Sequence, residues 1–273
     1  MKGGSGIFKK GDLGRATTRS FQIQALLQPE RMQGIGFGFA MLPILKRLYG
    51  DPASRGAALR RHLAYFATHP VLSGFVIGAA ARLEERRAAG EPIDDGMIDG
   101  TKRALATPLA ALGDPLFWVT LRPLAGLFGV IALLVLPPPD PGTPDLRVLL
   151  CPLFLLLTYN AVALPYRLTG VGRGYREADR PVALLRSLQL SERNAVLTRV
   201  GAFAFGAFFA LAATKVDARA SGAGGGSAAW ALILAPLLLG AVAATAGRRA
   251  AKGRPVETAL AALAAGAILA AWA

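Results

Sequence analysis

The sequence is poor in the side chains that soluble enzymes use. It has one cysteine, Cys151, so no internal disulfide is available, and two histidines, His62 and His69. That scarcity argues against Cys/His metal sites. Acids are few as well, 17 Asp plus Glu against 31 Lys plus Arg, and charged residues make up only 18% of the chain. Aromatics reach 8%, too few to furnish the stacking surface of a nucleic-acid binder despite the formal charge of +14. No Ser/His/Asp order, phosphate-cradling loop or zinc spacing occurs, so the residues offer no catalytic set, no metal site and no cofactor site. What the chain has in quantity is apolar residues, 53% of 273, with a mean hydropathy of +0.42. This excludes disorder, which needs low hydrophobicity. It leaves an integral membrane protein with basic loops as the first reading.

The position of the charges supports that reading. A membrane helix needs about 20 mostly apolar residues. Residues 148–166 and 220–247 carry no charge, the latter apolar from Ala228. Residues 124–136, extendable back to Trp118, and the shorter runs 200–214 and 258–273 are strongly apolar. The expected fold is therefore an all-α integral membrane protein with about five transmembrane helices in residues 115–273. Residues 1–114 differ. Their apolar runs, Met32–Leu45, His62–Ala81 and Ala104–Gly113, are short or broken by Pro43, Pro70 and Pro108. These lengths suit amphipathic and re-entrant hairpin segments on the cytoplasmic side. The first twenty residues are polar and basic, which argues against a cleaved signal peptide.

Loop charge gives an orientation. Seven arginines between Arg167 and Arg199 face three acids, and the loop Arg248–Arg254 holds four bases and no acid. The turn Pro137–Pro144 has one Asp and no base. Basic loops stay cytoplasmic. The expected topology is multi-pass in the inner (cytoplasmic) membrane, with the N-terminus cytoplasmic and the C-terminus outside.

Local signals refine the N-terminal region. Asp51-Pro52 reads as an N-cap followed by a helix whose stripe is Leu59, Leu63 and Phe66. A second helix is expected over Leu72–Arg87, its Leu83-Glu84-Glu85-Arg86-Arg87 end emerging into water before Gly90-Glu91-Pro92 stops it. Asp94, Asp95 and Asp99 fit solvated or capping roles. Gly34-x-Gly36-x-Gly38 lacks a preceding strand and fits close packing.

Polar residues beside apolar runs are the candidate site. Gln28-Pro29-Glu30-Arg31-Met32-Gln33 places amides and a charge pair next to an apolar stretch. Such groups either line a polar cavity, here a hydrogen-bonding wall for a polyhydroxyl solute, or form a structural Glu–Arg pair. Asp114, in Gly113-Asp114-Pro115, either caps a helix starting at Pro115 or accepts hydroxyl protons at a hairpin tip. Arg122 calls for a partner, either Asp114 or another subunit. Asn160 lies within an apolar run and suits helix–helix bonding.

Taken together, these residues resemble the IID subunit of mannose/fructose/sorbose-family phosphotransferase-system permeases. Glu30-Arg31-Met32-Gln33-Gly34-Ile35-Gly36-Phe37 is similar to that family's ERMQxxGF motif. Further matches follow in order: Arg60-Arg61-His62-Leu63, Thr68-His69-Pro70, Leu83-Glu84-Glu85, Ile93-Asp94-Asp95-Gly96, Gly113-Asp114-Pro115 and Thr120-Leu121-Arg122-Pro123. The resemblance implies a non-catalytic subunit that pairs with a membrane IIC subunit. Together they would carry a hexose inward, and a soluble IIAB protein would phosphorylate it. It also implies a core with re-entrant hairpins. On this reading Gln24, Gln28, Glu30 and Asp114 contact the sugar, supported by Arg31, Arg122 and Asn160. The family's usual Trp-Asn before the motif is replaced by Leu27-Gln28, an amide one methylene longer. That departure motivates a second reading, a regulatory or vestigial relative that binds partners or senses sugar without transport.

Overall fold

The computed structural model describes residues 10–220 except Pro138. The expected spans at 220–247 and 258–273, the Arg248–Arg254 loop and the C-terminus therefore lie outside the described residues. Those described are helical. No strand forms among them, only isolated bridges pairing Met32 with Gln28 and with Phe66. The chain divides into two units, residues 1–115 with 161–190 and residues 116–160 with 191–273.

The first unit opens with α1 (Lys10–Ser20), a loop, and α2 (Gly34–Leu48). The helix α3 (Pro52–His62) starts where Asp51-Pro52 predicts it, because the Asp51 carboxylate accepts the Ser54 N–H at 2.7 Å. It ends at His62, so Leu63 and Phe66 do not continue the expected stripe; the helix buries Ala58 and His62 instead. Next, α4 (Ser73–Ala88) covers most of the predicted Leu72–Arg87 helix, and Gly90 at φ +92° turns the chain away after it. In α5 (Asp95–Asp114) the Asp94 side chain caps the first turn through Met97 N–H at 2.7 Å.

The glycines serve close packing. A Cβ on Gly34 would meet Ala64 O at 2.2 Å, and one on Gly36 would meet Ile23 O at 2.2 Å. The helix α7 (Leu150–Arg176) contributes its C-terminal half to the first unit. There Gly74 and Gly78 of α4 cross Gly170 and Gly174 of α7. Built Cβ atoms would lie 2.1 Å from Val171 O at Gly78 and 2.0 Å from Phe75 O at Gly174. Two facing small-xxx-small stripes let the backbones touch, the packing used between membrane helices.

Asp114 neither caps a helix starting at Pro115 nor sits at a hairpin tip. It is the last residue of α5, and the helix runs on through a π-helical stretch, Pro115–Leu121, into α6 (Arg122–Val135). Pro115 and Pro123 lack the N–H an α-helix needs. The wider π turn between them keeps the chain helical without a break. In the second unit, a Cβ on Gly129 of α6 would lie 2.6 Å from Cys151 Cα of α7. The short helix α8 (Pro181–Ser187) belongs to the first unit, and α9 (Leu190–Ala220) begins at the end of that unit and carries the expected 200–214 run. Two helical stretches, Asp95–Val135 and Leu146–Arg176, are long and apolar enough to cross a membrane among the described residues.

Candidate functional site

The ERMQ motif is a tight turn held from behind. Met32 takes φ +48°, and its N–H and C=O pair with Gln28 at 2.7 and 3.3 Å. The following residue, Gln33, is buried. Its Nε2 donates to Thr68 O at 2.8 Å, its Oε1 accepts from Thr68 N at 3.2 Å, and its own N–H reaches Phe66 O at 2.8 Å. A buried amide with both ends satisfied fixes the register of the turn against the 64–72 loop. Thr68 carries the connection onward, its hydroxyl donating to Ala106 O of α5 at 2.9 Å.

That lock leaves the charged residues of the motif outward. Gln24, Glu30 and Arg31 are exposed and Gln28 is half-buried. Glu30 and Arg31 form no ion pair with each other or with any described residue, so the structural-pair alternative does not hold. Asp114 is exposed too, without a hydrogen bond to a described residue. Its neighbour Gly113 abuts His69, where a Cβ would lie 2.6 Å from the histidine Cβ. The structure thus places Gln24, Gln28 and Glu30 on the one loop between α1 and α2, with Gln28 and Glu30 on the same turn, and Asp114 on another segment, the two linked through the 64–72 loop. Arg122 is exposed, with its guanidinium 5.5 Å from the Trp118 ring centroid. Asn160 donates to Leu156 O in its own helix at 2.8 Å and bonds no other helix among the described residues.

A second polar constellation escaped the sequence reading. Glu84 and Glu85 do not emerge into water; both are buried. Glu84 Oε1 accepts from Arg61 Nε and His62 Nε2, each at 2.8 Å, and Oε2 accepts from the Tyr49 hydroxyl at 2.6 Å. Arg61 extends to Asp95 at 2.6 Å, and Arg87 binds the same carboxylate oxygen. Burial pushes the Glu84 carboxyl up. The bonds from His62 and Tyr49 and the Arg61 charge outweigh it and hold the group at about 2. Burial lowers His62, and its Nδ1 has no partner, so the ring is neutral with its proton on Nε2. Tyr49 is pushed up to about 12 by burial and by its bond to the ionised Glu84. On the opposite side Glu85 binds Arg82 at 2.6 Å and the Tyr175 hydroxyl.

The network joins Arg61-His62, Glu84-Glu85 and Asp95, three of the stretches that carry the family resemblance, and reaches Tyr175 through Glu85. Alternation of the Glu-Glu and Arg-Arg pairs was its one visible signal in the sequence. The side chains are used up by one another, which marks a structural clamp. Asp94, Asp95 and Asp99 are likewise engaged, as a cap and in pairs with Arg61, Arg87 and Lys102, and no metal set forms among the described residues.

Comparison with known proteins decides the family. Residues 8–227 match the model of the PTS system mannose/fructose/sorbose family IID component. This chain belongs to that family. It is 38% identical over 197 residues to the sorbose-specific EIID component of Klebsiella pneumoniae, covering 72% of this chain and 68% of the relative. Against the mannose-specific EIID component of Escherichia coli K12 the identity is 39% over 167 residues, covering 61% of this chain and 55% of the relative. The alignment therefore spans little more than half of that relative. Among solved structures, a cryoEM complex of the mannose transporter ManYZ with microcin E492 is similar at 36% identity. Its TM-score is 0.55, covering 74% of this chain and 70% of that one. Family membership and the two apolar helical stretches make this IID chain an inner-membrane protein.

Proposed function

We propose that the chain is the membrane IID subunit of a sugar permease and has no catalytic role of its own. It pairs with a IIC subunit in a hetero-oligomer to carry a hexose inward, and a soluble IIAB protein phosphorylates the sugar. The reading includes a multi-pass topology with the N-terminus cytoplasmic and the C-terminus outside.

The observation that carries this is the contrast within the ERMQ turn. Gln33 is buried and spent on Thr68, while Glu30 and Arg31 beside it are exposed and their side chains bond no described residue. A charged group next to an apolar helix is costly in a membrane unless it meets a partner or a polar ligand. Carboxylates and amides suit a hexose, since they accept and donate to hydroxyls. Glu30, Asp114, Gln24 and Gln28 are assigned to that role, with Arg31 and Arg122 supporting the site or the IIC contact and Asn160 supporting its own helix.

Sugar uptake by cells expressing the chain with its IIC and IIAB partners tests the reading. Uptake above that of cells lacking the chain is expected. Uptake equal to those cells, with the complex assembled, would contradict it.

A further inference from the structure

Within the first unit a cavity of about 360 Å³ opens between the 64–67 loop and α5. It falls in the size range of small-molecule sites. Its lining shares no residue with the ERMQ turn or the Glu84 clamp, though it abuts both, Phe66 being bonded to Gln33 and Lys102 to Arg61 O. Its apolar wall is Phe66 with Ala64, Ala67 and Ala106. The remaining lining is polar: Tyr65, Asp99, Lys102, Arg103 and Thr107.

The polar groups divide into a fixed set and a free set. Lys102 is buried, and its ammonium is tied to Asp99 Oδ1 at 3.1 Å and Arg61 O at 3.3 Å, over the Phe37 ring at 5.1 Å. That makes it a rigid positive wall. Arg103, Tyr65 and Thr107 are exposed and form no hydrogen bond or ion pair with a described residue. Two cations thus share one cavity with a single carboxylate, which Lys102 already engages. The excess positive charge favours an anion, and the open guanidinium fork matches phosphate oxygens. The Tyr65 and Thr107 hydroxyls and Asp99 Oδ2 are placed for hydroxyl groups, with the alanines and the Tyr65 ring offering an apolar face.

We infer that this cavity binds a phosphate ester bearing hydroxyl groups, with Arg103 as the principal phosphate ligand. Two sources share that chemistry, a soluble sugar phosphate and the glycerophosphate head of an anionic lipid. The inference does not rest on transport.

Calorimetric titration of the full chain, co-purified with its IIC partner in phosphatidylcholine nanodiscs, tests it. Glucose 6-phosphate is expected to bind about tenfold or more tightly than glucose, which lacks the charge-assisted contact, and several-fold more tightly than inorganic phosphate, which lacks the hydroxyl contacts. Arg103→Ala should weaken it about tenfold and Arg103→Lys by less. Thr107→Val, at an exposed position, should weaken it by roughly threefold and serves as a second variant. Repeating the titration in phosphatidylglycerol nanodiscs separates the sources. Competition that disappears in Arg103→Ala identifies the lipid head, and unchanged affinity identifies the soluble ester; either supports the site. Absence of glucose 6-phosphate binding in phosphatidylcholine, or the wild-type affinity in both Arg103→Ala and Thr107→Val, would overturn it. A complex that transports without binding this probe defeats only the cavity. One that binds without transporting defeats only the permease reading.

Discussion

The two units solve the same problem, burying helices of an apolar chain, with opposite chemistry. The first unit buries charge. Glu84 is fully enclosed and satisfied by three donors, and glycine stripes bring α4 and α7 into backbone contact. Among its described residues the second unit buries little and exposes much. Val119 on the π-helical stretch, Leu156 and Leu157 on α7 and Phe203 on α9 are 71, 57, 62 and 81% exposed. Apolar side chains turned outward suit lipid or a membrane partner, where helix contact brings no hydrophobic gain. Rigidity is built from polar complementarity in one region, and compatibility with an apolar surrounding is built in the other. Substitutions should therefore have steeply unequal costs.

The largest effect is expected at the clamp. Glu84→Ala removes the shared acceptor of Arg61, His62 and Tyr49 and leaves three donors unsatisfied, with Arg61 held by Asp95 alone, at a cost of about 3 kcal/mol or more. Loss of folded complex in detergent, followed by thermal unfolding, measures it. A drop below 1 kcal/mol would show that the network is incidental.

Next are the glycines. Gly78→Leu or Gly174→Leu forces α4 and α7 apart and should cost about 1–3 kcal/mol or more. The contrasting control is Gly201→Ala in the second unit, where nothing lies within 4 Å of the added Cβ; it should be neutral or stabilising by about 0.5–1 kcal/mol. Equal losses at both places would erase the difference between the units.

Acid should act through the first unit. Glu84 sits below its usual value in the folded chain, so its contribution is complete above about 4.5 and is lost as the pH falls toward about 2. His62 is lowered too, so the unfolded chain takes up its proton first and stability begins to fall below about 6.5. The unfolding temperature of the purified complex should decline across that window. Glu84→Gln, which has no carboxyl to titrate, should flatten the part below pH 4.5.

The smallest stability change is expected at the exposed site residues. Glu30→Ala and Asp114→Ala should stay within about 0.5 kcal/mol of the parent chain, since neither side chain bonds a described residue.

The sequence made helix starts and close packing readable because they depend on neighbours in the chain. Asp51 with Pro52 announced α3, and the glycine triplet at 34, 36 and 38 announced tight contacts. The clamp was hidden because its members are distant. Arg61 meets Glu84, and Tyr175 meets Glu85, only after α3, α4 and α7 pack, and Glu84-Glu85-Arg86-Arg87 in isolation reads as a solvated helix end. Gly113-Asp114-Pro115 misled for the reverse reason. Proline normally starts or stops a helix, and here a π-helical stretch absorbs it. In the ERMQ motif the sequence pointed at Glu30 and Gln28; the structure adds Gln33 as the residue that holds them in place.

The most direct test of the central claim, that the exposed carboxylates serve a sugar while the buried ones serve the fold, is uptake in cells carrying the IIC and IIAB partners. Glu30→Ala and Asp114→Ala, at normal membrane levels, are expected to lose most hexose uptake without losing thermal stability. Uptake at the parent level in both variants would contradict the account.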